Sequence, residues 1–67
     1  MSGIHPNLDP EATAKRLMER LRSFSQGLGM SDTDARQIID RVIASDPSAG
    51  DGHLMAKART WILTALA

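Results

Sequence analysis

Between Asp34 and Ile43 the apolar residues are Ala35, Ile38, Ile39, Val42 and Ile43, with polar residues between them. That spacing is i, i+3, i+4, i+7, i+8, the stripe of one helix face. Ser31-Asp32-Thr33-Asp34 stands just before it and reads as a helix start. Ser31 with Asp34 three positions on resembles a capping box, with Asp in place of Glu. A second stripe precedes it, at Ala14, Leu17, Met18, Leu21 and Phe24. Asp9-Pro10-Glu11 opens that helix: Asp9 caps, Pro10 suits the first helical position, and Glu11 favours the positive end of the dipole. Gly27 and Gly29 close it, either one able to supply the left-handed residue past the helix end. Leu28 and Met30 are expected to fold back over the core.

After Ser45 the chain turns rich in Ser, Asp, Gly and Pro, which reads as a loop. Asp46-Pro47-Ser48-Ala49 has the makings of one helical turn. Asp51 is the expected cap of a third helix. The pattern therefore predicts an all-α, small three-helix bundle, with helices at about 10–26, 32–45 and 52–66. Residues 9–67 form the single domain. Residues 1–8 are expected to be a flexible tail, because Pro6 disfavours helix at His5, with Ile4 or Leu8 available to pack as a staple.

The third helix departs from a plain stripe. Met55, Ala58, Ile62, Ala65 and Leu66 make its expected core face, Leu54 and Trp61 flank it, and Leu63 lies off it. Two arrangements account for this breadth. Either the helix packs between the other two and uses all its sides, or part of its surface meets a second molecule. On the second reading the candidate partner-binding residues are Leu54, Trp61, Leu63 and Leu66, an aromatic beside aliphatics as at binding hot spots.

Composition adds limits. Sixty-seven residues bury only a modest share of the unfolded surface, so a partner would help stability. There is no Cys, hence no disulfide and no thiolate metal site. Lys+Arg equals Asp+Glu, which disfavours a domain held to nucleic acid through phosphates. No run is long and apolar enough for a membrane span, and no signal peptide is visible; the cytoplasm is the expected compartment.

Candidate chemistry is sparse. Ser48, Asp51 and His53 lie close together, but a loop beside a helix start does not hold a triad. No phosphate loop, dinucleotide fingerprint or His pair at i, i+4 occurs. The expectation is no catalytic residue, no metal and no cofactor. Met18, Met30 and Met55 are assigned to the core rather than to an adaptable surface. A helix–turn–helix reading is the alternative, with Arg16, Arg20, Arg36 and Arg41 as candidate nucleic-acid contacts. A homodimer joined through the third helix is a further alternative.

Leu21-Arg22-Ser23-Phe24, then Leu28, Asp34-Ala35 and Ile38-Ile39, and later Arg59-Thr60-Trp61-Ile62 together resemble region two of the extracytoplasmic-function sigma factors of bacterial RNA polymerase. That family has a Leu-Arg-x-Phe helix, a short linker, a helix beginning Asp-Ala-Glu-Asp-Leu-Val-Gln-Glu, and later an Arg-Ala-Trp-Leu helix. The resemblance covers residues 17–64. The family's second helix grips the polymerase clamp through acids and a Gln-Glu pair, where this chain has Arg36, Gln37, Asp40 and Arg41. The family's promoter-reading helix has no counterpart before Ala67. The resemblance thus implies a fragment or mimic of region two that binds a protein of the transcription machinery, such as an anti-sigma protein, and not a working sigma factor. The combined expectation is a non-enzymatic protein–protein interaction module whose partner is another protein or a second copy.

Overall fold

In a computed structural model, residues 9–67 are described, and they form three α-helices: α1 (Pro10–Gly27), α2 (Asp32–Ser45) and α3 (Asp51–Leu66). The expected tail, with Ile4 and Leu8, lies outside the described residues. The helices pack pairwise against one another as a small all-α bundle. None is long and apolar enough to cross a membrane.

Asp9 starts α1. Its carboxylate accepts from the Glu11 and Ala12 N–H groups at 3.1 and 3.2 Å, with Pro10 inside the first turn. At the other end the Met30 N–H donates to the Ser25 carbonyl and the Gly29 N–H to the Gln26 carbonyl, each at 3.0 Å. This pair of bonds is the Schellman closure, and it needs a left-handed residue at Gly29, where φ is +84°. Gly27 stays inside the helix. The turn carries Met30 back into the core, whereas Leu28 remains exposed. Ser31 caps α2 by accepting from the Asp34 N–H at 3.2 Å.

Between α2 and α3 the Ala49 N–H donates to the Asp46 carbonyl at 3.1 Å, a single turn rather than a helix. The cap of α3 is Gly50, which offers no side-chain acceptor. Asp51, expected as the cap, is instead the first helical residue, and its carboxylate turns to α1. Arg16 donates to it through Nε at 2.9 Å and Nη2 at 3.3 Å. A bond across the bundle thus replaces a local one. Glu11 likewise pairs across the bundle, accepting from Arg36 of α2 at 2.8 Å.

The core joins Ala14, Leu17, Met18 and Leu21 of α1 with Ala35, Ile39, Val42 and Ile43 of α2 and Leu54, Ala58 and Ile62 of α3. Thr13 and Ser25 are also buried. The Thr13 hydroxyl accepts from Arg16 at 3.2 Å, and the Ser25 hydroxyl donates to the Arg22 carbonyl at 3.1 Å. Both polar groups are therefore satisfied, as burial demands. Their place on the inner face of α1 follows from helix geometry, since Thr13 is one turn from Leu17 and Ser25 one turn from Leu21.

The core face of α3 is turned relative to the expected one. Leu54 is inside, whereas Ala65 and Leu66 are exposed. A stripe through Leu54, Ala58 and Ile62 advances by four residues each time, one line along a helix. Ala65 would continue the inner face, yet it stands exposed at the end of the helix.

Candidate functional site

Four residues of α3 are candidates for partner binding, and the fold separates them. Leu54 is 2 % exposed and belongs to the core, which removes it from any surface. Its line with Ala58 and Ile62 faces both other helices. Leu63 is 51 % and Leu66 45 % exposed. Three residues apart, these two are neighbours on the helix surface. Trp61 is half-buried, packed against the core yet still reachable. It points to nearly the opposite side of α3 from Leu63, two positions away. The candidates thus form two surfaces, one around Leu63 and Leu66 and one around Trp61.

Around Trp61 the fold supplies partners from α2. An open cleft of about 350 Å³ runs between α2 and α3, lined by Ile38, Arg41, Thr60, Trp61, Thr64 and Ala65. The Thr60 and Thr64 hydroxyls donate to the carbonyls of Ala56 and Thr60, at 3.2 and 2.9 Å. Their hydrogen-bonding capacity is directed along their own helix, so the cleft is mainly apolar. Lys57 sits over the Trp61 ring, its Nζ 5.7 Å from the centroid, within cation–π range. Toward the end of α3 the cleft opens into a second hollow shared by Ile38, Arg41, Ala65 and Leu66, with Met30 and Asp34 on its border. Sequence reasoning placed Ile38 on the apolar face of the second helix and did not connect Arg41 or Lys57 with Trp61. The four-residue step from Lys57 to Trp61 was the one local signal available.

The four arginines proposed for nucleic acid do not gather on one face. Arg16 is joined to Asp51 on the α3 side of α1, and Arg36 to Glu11 and Asp40 on the α2 side. Hydrogen bonding to Asp51 raises the pKa of Arg16, and that to Asp40 raises the pKa of Arg36. Both guanidinium charges are thereby matched within the molecule. Arg20 and Arg41 are exposed and lie on different helices.

Ser48, Asp51 and His53 do not converge on one another. Asp51 is taken by Arg16, whose hydrogen bonds hold its carboxyl below the usual range. His53 Nε2 lies 3.1 Å from the Asp46 carboxylate, joining the loop to the first turn of α3. Among the described residues, no three His, Cys, Asp or Glu side chains cluster as a metal site would require. Comparison with protein-family models, with curated proteins and with solved structures finds no match to this chain.

Proposed function

We propose that this chain is a non-enzymatic protein–protein interaction module that binds through the outer surface of α3. The observation carrying this reading is the pair Leu63 and Leu66, about half exposed on the last turns of a helix. The segment Thr60–Ala67 holds no charged residue. Exposed aliphatics gain from a partner that removes them from water. Trp61 adds a large, partly accessible ring on another side of the same helix.

The test is recovery of partners by the tagged chain from its native host, compared with Leu63→Glu and Leu66→Glu variants. A protein retained by the wild type and lost from the variants, with helix content unchanged by circular dichroism, supports the module. The same proteins recovered with all three chains would sink it. Light scattering at two concentrations distinguishes a second copy as the partner.

The finer reading is a transcription-related regulator that mimics region two of a sigma factor. Leu21, Phe24, Asp34-Ala35 and Trp61-Ile62 support it through the resemblance described above. It expects RNA polymerase subunits or an anti-sigma protein among the recovered partners. The nucleic-acid reading has less support, because Arg16 and Arg36 already meet carboxylates.

A further inference from the structure

The α2–α3 cleft combines an apolar floor with a cation at its edge. It is an open trough between two helices, lined by Ile38, Trp61, Ala65 and two threonines whose hydroxyls are engaged with their own backbone. An open trough covers one side of an occupant, the geometry of a helix laid in a groove. A small-molecule site would instead enclose most of its ligand.

Arg41 lines this floor, and Lys57 borders Trp61 from an adjoining hollow that it shares with His53, Ala56 and Thr60. Among the described residues, Arg16, Arg22 and Arg36 each have a carboxylate within 4 Å, and His53 has Asp46. Arg41 and Lys57 are in none of these pairs, and they flank Trp61 from α2 and α3. From Gly52 to Ala67 the chain contains no Asp or Glu. Asp34 is the one acid bordering the adjoining hollow, two turns from Arg41 along α2. Lys15, Arg20 and Arg59 are in none of these pairs either, but among the described residues Arg41 and Lys57 are the unpaired cations that share a hollow with the single indole. A second copy docked with the same face would bring the same two cations to this groove, where like charges repel. A partner with carboxylates would match them.

We propose that the α2–α3 groove binds an acidic amphipathic helix of another protein, its apolar anchors seated between Ile38, Trp61 and Ala65 and its carboxylates on Arg41 and Lys57. This inference rests on the interaction-module reading and assigns a partner chemistry to the Trp61 surface of α3 rather than to the one around Leu63. Trp61 is the single tryptophan, so its fluorescence reports the groove directly.

The probe is a synthetic peptide of about 15 residues, long enough to hold a helix, with Leu at helical spacing and Glu elsewhere. A counterpart carries Lys in place of Glu. With the full chain, the acidic peptide gives a saturable Trp61 shift and binds about tenfold or more tighter than the basic one, a difference of roughly 1.4 kcal/mol. Arg41→Glu with Lys57→Glu, checked for retained helix by circular dichroism, reverses that preference. Equal binding of both peptides, or no saturable shift, overturns the inference. So does a Trp61 shift produced by raising protein concentration alone, or displacement of the acidic peptide by duplex DNA. A host partner whose retention depends on Leu63 but is indifferent to Arg41 and Lys57 would leave the module standing and remove the acidic helix.

Discussion

Single residues carry distinct loads in this bundle. Gly29 holds φ at +84°, and an added Cβ there would meet nothing within 4 Å. The cost of Gly29→Ala is therefore a backbone cost, about 1–2 kcal/mol in a urea melt. Gly27 is helical and equally open, so Gly27→Ala should stabilise, by up to about 1 kcal/mol. The opposite signs two residues apart test the Schellman closure directly. Leu63→Glu should change stability by no more than about 0.5 kcal/mol, because the side chain is half exposed and outside the core. Thr13 and Ser25 escaped the hydrophobic pattern because they are polar. Their burial depends on partners that no apolar count reveals.

At the scale of the helix, the ends decide how well each element is set. The caps of α1 and α2 have side-chain acceptors and that of α3 does not. Gly50 has φ −74°, ψ 165° and room for a Cβ. Gly50→Ser should supply the missing acceptor and restrict the unfolded chain, raising stability by about 0.5–1 kcal/mol in thermal melts. The stripes of α1 and α2 were legible because one face of each is apolar and the other charged. The stripe of α3 was not, since alanines and leucines surround the helix and periodicity alone leaves its rotation undetermined. Leu54 and Leu66 exchanged places for that reason.

Across the whole molecule, one small core and a few ion pairs join the helices. Ile39 is fully buried at the centre of α2. Ile39→Ala should cost about 2–5 kcal/mol, enough to populate the unfolded state of so small a domain. Asp51 ties α3 to Arg16 of α1, and its pKa is lowered in the folded state by that hydrogen bonding. Its contribution is therefore complete above the unfolded carboxyl range, near pH 4, and lost as pH falls through the lower folded value. Thermal melts from pH 6 to pH 2 should show an acid-side loss in the wild type that is smaller in Asp51→Asn. The groove beside Trp61 also belongs to this scale, because Arg41 and Ile38 reach it from another helix.

Read as a string, the chain already specifies three helices, their ends within about a turn, and the inner faces of the first two. Those properties rest on interactions between near neighbours: caps three residues away, stripes three and four apart, a glycine past a helix end. The pairing of Asp51 with Arg16 and of Glu11 with Arg36, the rotation of α3, and the meeting of Arg41 with Trp61 required the helices to pack. Each joins residues on different helices or turns on how one helix meets the others, and local spacing carries no information about such contacts.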